Sequence, residues 1–350
     1  MPETPHPTVG FVAIGRNEGP RLGGCLASLG GGPVVYVDSG SSDDSLERAR
    51  AAGALTVELD LALPFTAARA RNLGLQRLRA AHPGVEYVQF VDGDCELRAG
   101  WVEAGLAALR ERPDVAVVCG RRRERFPEAS VYNRLCDVEW DTPAGEAAAC
   151  GGDALMRVAA LAEVGGYDPT LIAGEEPELC LRLRRRRWRI LRLPVEMTLH
   201  DAAMTRWTQW WRRALRDGHV TAELLARYGP SREHGRLRRA ASAWFWAVGL
   251  PLAGALALGW ALLSPGPVPV AAVAAVPLLY LALGLRVARG RRRAGRSAAD
   301  ARAYALSCVL GKWPQTAGMA RYVWLRASGR APRLIEYKDM PAVEALPRRS

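Results

Sequence analysis

Two hydrophobic rhythms divide the chain. Between residues 8 and 120, short β-rich runs alternate with helical stretches: residues 8–14, 34–38, 56–59, 86–92 and 115–119 read as strands, and 20–29, 43–52, 66–82 and 99–111 as helices between them. Strand and helix alternating at this spacing predict an α/β fold, a mostly parallel sheet with helices on both faces. Beyond Arg239 the rhythm changes. From Ala240 to Leu285 there is no Asp, Glu, Lys, Arg or His. A helix needs about 20 apolar residues to cross the hydrocarbon. Two such segments are present, 240–263 and 268–285, separated by the turn signal Ser264-Pro265-Gly266-Pro267. The pattern predicts a C-terminal transmembrane helical hairpin.

Both flanks of that hairpin are rich in arginine: Arg232, Arg236, Arg238 and Arg239 before it, and Arg286, Arg289, Arg291, Arg292, Arg293 and Arg296 after it. Positive flanks stay on the cytoplasmic side, which predicts a multi-pass protein of the cytoplasmic membrane with both termini inside. Four regions are expected: an α/β domain over 1–203, an amphipathic interfacial helix over 204–239, the hairpin over 240–285 and a basic cytoplasmic tail over 286–350. In the second region Trp207, Trp210, Trp211, Ala214 and Leu215 fall on one helical face, while Arg206, Arg212, Arg213 and Arg216 occupy much of the remaining surface. Such a helix either lies in the membrane interface or packs on a neighbouring domain. The arginine-rich run 182–189 is either a headgroup-facing surface or a solvated helix end.

The net charge of +12 comes almost wholly from arginine and points to phosphate in some form: nucleic acid, nucleotide or lipid headgroup. No nucleic-acid-binding motif accompanies the arginines, and many aromatics sit in or beside the apolar segments, so no nucleic-acid partner is expected. The seven cysteines include no Cys-x-x-Cys pair, which argues against a disulfide framework or structural zinc and suits a reducing cytosol. The first residues lack the basic start and apolar core of a signal peptide.

In a parallel sheet ligands bind beyond the carboxyl ends of the strands. Gly15-Arg16-Asn17-Glu18 follows the first strand, Asp38-Ser39-Gly40-Ser41-Ser42-Asp43 the second, and Asp92-Gly93-Asp94 the fourth. One acidic turn is usually a solvated loop; three on one edge suggest a site. Carboxylates two residues apart on a glycine turn suit a hard divalent cation, Mg²⁺ or Mn²⁺, bridging to substrate phosphates.

These residues, with Ala70-Arg71-Asn72-Leu73-Gly74 and Gly174-Glu175-Glu176-Pro177-Glu178-Leu179, resemble in order and spacing the family-2 glycosyltransferases of the GT-A fold, over about residues 8–230. The resemblance implies a GT-A-like, Rossmann-related domain. It places Ile14, Arg16, Glu18, Asp38, Asp43, Arg71, Asn72, Asp92 and Gly93 on the donor, with Asp38 reading the nucleobase and Arg71 near the diphosphate. Asp92, Asp94 and His200 become the implied metal ligands, with Asp201 orienting the imidazole. Gly151, Gly152 and Glu178 fall on the acceptor side. Glu176 stands where the family carries its general base, and Glu175 is the other candidate. Position 14 is Ile where the family often has Pro, 16 is Arg for its usual Tyr, and 39 is Ser where a second Asp is common; the nucleobase, UDP, GDP or another, stays open.

The expected activity is inverting, metal-dependent transfer of a sugar from a nucleotide-diphosphate donor to a membrane lipid, lipid-linked or polysaccharide acceptor. A processive polysaccharide synthase is an alternative, against which a single hairpin offers no translocation pore. A non-catalytic nucleotide-sugar-binding protein is another, opposed by Asp92, Asp94 and Glu176 occurring together.

Overall fold

A computed structural model describes residues 8–63, 65–230, 235–330 and 335–336. Arg232 and the last residues of the expected tail, 337–350, lie outside the described residues. The elements in chain order are β1 (Thr8–Gly15), α1 (Pro20–Ser28), β2 (Val34–Asp38), α2 (Ser45–Ala51), β3 (Leu55–Glu58), α3 (Ala67–Ala81), β4 (Val85–Asp92), β5 (Cys95–Leu97), α4 (Trp101–Glu111), β6 (Val115–Glu124), α5 (Val131–Trp140), β7 (Gly145–Glu146), β8 (Ala154–Arg157), α6 (Val158–Val164), α7 (Glu175–Arg185) and β9 (Arg189–His200), followed by α8 (Trp207–Tyr228), α9 (Arg236–Trp244), α10 (Leu250–Leu263), α11 (Pro267–Arg293), α12 (Ala298–Leu310) and α13 (Lys312–Ala327). They form two compact units, one of residues 8–127 and 139–203, the other of 128–138 and 204–336.

The first unit is built on one sheet of order β3-β2-β1-β4-β8-β6-β9-β5, with β7 paired to β9. The parallel pairing expected from the alternating rhythm runs through β3-β2-β1-β4 and recurs between β6 and β9. Strand β8 enters antiparallel between β4 and β6, so the sheet is mixed. Strands β1, β2 and β4 are apolar on both faces because helices cover both, and Val12, Val37, Phe90 and Leu155 are fully buried. Thr66 caps α3 by accepting the Arg69 amide at 3.2 Å. The buried Trp101 seats α4, its indole N–H donating to Gln89 Oε1 at 2.8 Å.

Strand β6 continues to Glu124, beyond the Cys119 at which its apolar run stops, because β9 pairs with it through Arg121↔Glu196, Arg122↔Thr198 and Arg123↔Leu199. Alternation along this polar half turns Arg121 and Arg123 toward carboxylates at the rim, Asp141 and Glu196, and Arg122 toward the interior.

In the second unit two helices are long and apolar enough to cross a membrane, Arg236–Leu263 and Pro267–Arg293. The first runs from α9 into α10 through a wide turn at Phe245–Gly249. They pair closely: a Cβ added at Gly254 would lie 3.0 Å from Val276. Their outer apolar side chains are bare, Leu256 being 68% and Leu263 89% exposed. The stretch expected as a basic tail, 286–350, instead carries the end of α11 and two further helices, of which α12 packs on α11 and α13 on α8.

Helix α8, in the region expected as an interfacial helix over 204–239, packs on α13. It crosses α13 at two glycines: a Cβ at Gly218 would stand 2.0 Å from Gln315 O, and one at Gly318 1.9 Å from Leu215 O. Only glycine permits that backbone approach. Trp210 is buried as a result, and of the aromatic face Trp207 alone stays widely exposed at 43%. Trp211, Ala214 and Leu215 of the same stripe are half-buried.

Candidate active site

The register of the three central strands brings the acid turns together. Gly15 pairs with Asp38 and Ile14 with Asp92, so the β1, β2 and β4 turns leave one edge at one level. Ile14 O accepts the Gly93 amide at 2.8 Å, and Gly15 O the Ser39 amide at 2.9 Å. The first two turns also interlock: Asn17 Oδ1 accepts from Ser42 N at 2.7 Å, the Glu18 amide donates to Ser45 Oγ at 3.0 Å, Asp43 Oδ1 accepts from Ser45 N at 3.1 Å, and Arg16 Nε donates to Gly40 O at 3.3 Å. Glu18 pairs with Arg21 at 2.9 Å.

Asp38 is buried, and its own loop occupies it. One oxygen accepts the Gly40 and Ser41 amides at 2.9 and 2.7 Å, the other the Tyr36 and Ser41 hydroxyls. In this arrangement Asp38 shapes the loop that follows β2. Burial and the adjacent Asp38 raise the Tyr36 hydroxyl above its usual range, which keeps it a donor.

A second layer of residues gathers behind Asp92. Arg71, 2% exposed, donates from Nη2 to Asp92 Oδ1 at 2.8 Å and from Nη1 to Glu175 Oε1 at 2.7 Å. Asp153, fully buried, accepts the Asp92 amide at 3.0 Å and Thr198 Oγ1 at 3.0 Å, and pairs with Arg122 at 2.9 Å. A Cβ at Gly152 would fall 2.8 Å from Asp92 Oδ2, 2.9 Å from Arg71 Nη2 and 3.3 Å from Arg122 Nη2, so the chain passes between two guanidiniums where no larger residue fits. Gly151 beside it holds a φ of 86°, a backbone that suits glycine.

Helix α7 separates its three acids. Glu175 is taken by Arg71. Glu178, expected on the acceptor side, is fully buried and bidentate to Arg182, both contacts at 2.7 Å, while Arg182 also holds Val164 O and Gly166 O. It is a packing residue. Asn72, expected on the donor, is likewise committed, donating to Tyr167 O at 2.7 Å and accepting Tyr167 N at 2.9 Å. Glu176 forms no ion pair among the described residues. Burial, and then the like charge of Glu175, push its carboxyl up to about 7.

Residues 14–161 match the model of glycosyl transferase family 2. That segment is a glycosyl transferase family 2 domain. It is 27% identical over 341 residues to the pre-mycofactocin glycosyltransferase of Mycobacterium tuberculosis (strain CDC 1551 / Oshkosh), covering 91% of this chain but only 66% of that relative's length. The fold is similar to that of a mannosyltransferase, PcManGT from Pyrobaculum calidifontis, solved with GDP-Man and Mn²⁺, at a TM-score of 0.61 and 20% identity over 92% of this chain and 88% of that one.

Candidate ligands for an ion lie on β5, the turn before it and the end of β9. The antiparallel register of these two strands pairs Cys95 with His200, and the Asp201 amide donates to Asp94 O at 3.1 Å. Asp94 and His200, 4% and 5% exposed, thereby face each other with Oδ1 and Nε2 3.4 Å apart. Two ligands about 2.1 Å from one ion stand roughly 3 Å apart, so this pair suits a shared cation. Burial, and then the Arg122 charge, lower the imidazole to about 4, leaving it neutral with a lone pair at neutral pH. Its Nδ1 has no hydrogen-bond partner, and Trp140 packs edge-on at 4.7 Å. Asp201, expected to orient it, instead accepts from Ala203 N at 3.1 Å and lies 4.0 Å from Arg21. Cys95, Asp92 and Asp153 also cluster, but burial raises the Cys95 thiol and Asp153 is spent on Arg122, Thr198 and the Asp92 amide. Asp94 and His200 form the better-fitting hard-cation pair.

Arg122 and Asp153 carry this centre, and neither is named as a site residue by sequence reasoning. The available signals were an arginine at the inward alternation of a polar strand extension and an acid directly after Gly151-Gly152.

Proposed function

We propose that this protein transfers a sugar from a nucleotide-diphosphate donor to a membrane-associated acceptor, with inversion at the anomeric carbon. One observation carries the reading: Arg71 binds Glu175 and Asp92 together, leaving Glu176 as the unpaired carboxylate at the start of α7. Direct displacement needs a base to take the acceptor hydroxyl proton as the oxygen attacks. A carboxyl poised at about 7 is substantially ionised near neutral pH and still basic enough to accept that proton.

Asp94 and His200, with Asp92 beside them, would hold a divalent cation, Mg²⁺ or Mn²⁺. When bound, the ion supplies positive charge for the departing diphosphate. The Mn²⁺ and GDP-Man present with PcManGT support a cation and a nucleotide sugar here. Arg71 and Arg122 would add fixed positive charge behind the same group without moving.

The bare hairpin supports a membrane-associated acceptor, a glycolipid, polyprenyl-linked or polysaccharide precursor. Its arginine flanks support a cytoplasmic placement of both termini. The test is a donor screen with purified full-length protein in nanodiscs, offering UDP-, GDP- and dTDP-sugars with and without Mn²⁺ and following nucleoside diphosphate release and product configuration. Turnover of one donor with inversion is expected. Binding without turnover, or retention of configuration, overturns the reading.

A further inference from the structure

Helix α13 carries an apolar face that stays largely bare among the described residues. Trp313, Ala317, Ala320, Trp324 and Ala327 recur at helical spacing on one side, all exposed, with Val323 at the edge 60% exposed. The opposite side, with Gly318 and Leu325, is buried, and Gly318 meets α8. The helix is thus split lengthwise into a packed half and a bare half, about 24 Å long at 1.5 Å per residue.

The bare half continues a surface already assigned to lipid. Trp313 stacks on Tyr280 of α11 at 5.6 Å, so the stripe begins against one hairpin helix. At its other end Arg330 sits over the Trp324 ring at 4.9 Å, and Arg326 is exposed beside it. Tryptophans at both ends, small residues between and arginines along the border are the composition of a helix lying at the water–hydrocarbon boundary. The arginines select a negatively charged headgroup layer.

We propose that the Trp313–Trp324 face of α13 lies flat in the headgroup boundary of an anionic bilayer. This rests on the reading that the hairpin spans the membrane, and it gives α13 an interfacial role of its own beside α8, whose Trp210 is buried. The helix then sets the depth at which the second unit rides on the membrane.

The experiment uses full-length protein in vesicles of phosphatidylcholine and phosphatidylglycerol. Cys308→Ser removes the one cysteine that is not buried, and nitroxide labels are placed one at a time through Ala317→Cys, Ala320→Cys, Arg326→Cys and Leu256→Cys. Collision with oxygen and with a water-soluble nickel chelate reports depth. Positions 317 and 320 are expected to favour oxygen several-fold over nickel relative to 326, at a shallower depth than 256. Omitting phosphatidylglycerol should move both toward water. If 317 and 320 match 326 while 256 stays in hydrocarbon, the face is wet and the proposal is wrong. Exclusion of both reagents at 317 and 320 means protein covers the face, which also overturns it. Nickel access at 256 instead removes the hairpin, and this proposal falls with that reading.

Discussion

Arg71 holds Glu175 at 2.7 Å through one terminal nitrogen and Asp92 at 2.8 Å through the other. A buried guanidinium between two carboxylates ties the start of α7 to the turn after β4. The neighbouring Glu176 is left with the Glu175 carboxylate as a like charge and no ion pair among the described residues.

Replacing Glu176 by Gln keeps shape and removes the proton acceptor. Turnover should fall by about 10²–10⁴-fold, the scale of general-base catalysis, with donor affinity within a few-fold. Glu175→Gln should act differently, lowering thermal stability and donor affinity by loosening Arg71. Steady-state kinetics with a donor titration separates the two. Near-normal turnover in Glu176→Gln removes the assignment.

The pH profile follows from the same carboxyl. Its pKa is raised to about 7 and the ionised form is the base, so turnover should climb as pH rises through about 7 and level off above it. In residual Glu176→Gln activity that limb should vanish. A profile identical in both proteins assigns the ionisation elsewhere.

Asp94→Ala should remove activity and weaken donor binding, and chelation should do the same to the parent protein. His200→Ala should raise the Mn²⁺ concentration for half-maximal activity by about 10–100-fold, the scale on which lost support weakens a metal site. Calorimetric titration of Mn²⁺ checks this without turnover. Unchanged Mn²⁺ affinity in both variants places the ion on other residues.

Arg122→Ala leaves the fully buried Asp153 without its cation. Breaking a buried pair from one side costs about 3–5 kcal/mol. A marked drop in melting temperature is expected, together with lost activity, because Asp153 also carries the Asp92 amide. Parent-like melting would show that Thr198 and the backbone satisfy Asp153 alone.

Topology is checked from outside intact cells. A thiol introduced at Ser264, between the two apolar helices, should react with an impermeant reagent, and one at Ser328, beyond α13, should not. Reaction at both positions breaks the two-span reading.

The alternating rhythm of residues 8–120 and the uncharged run 240–285 determined the strands, the helices over them and the long apolar pair, because burial and hydrogen bonding in these elements follow local periodicity. The acid turns were legible for the same reason: each sits where its own strand ends. What each polar residue touches was decided only in three dimensions. Asp38 is bound by its own loop, Asn72 by Tyr167 and Glu178 by Arg182, because polar groups shielded from water take the partners that packing offers. Asp94 meets His200 only through the β5–β9 register, and Arg122 reaches Asp153 only because β9 extends β6 past its apolar run. Pairing between segments so far apart in the chain leaves no periodic trace in either. How far each of α8 and α13 is covered was tertiary for the same reason: the glycine crossing at Gly218 and Gly318 buries one side of each helix against the other.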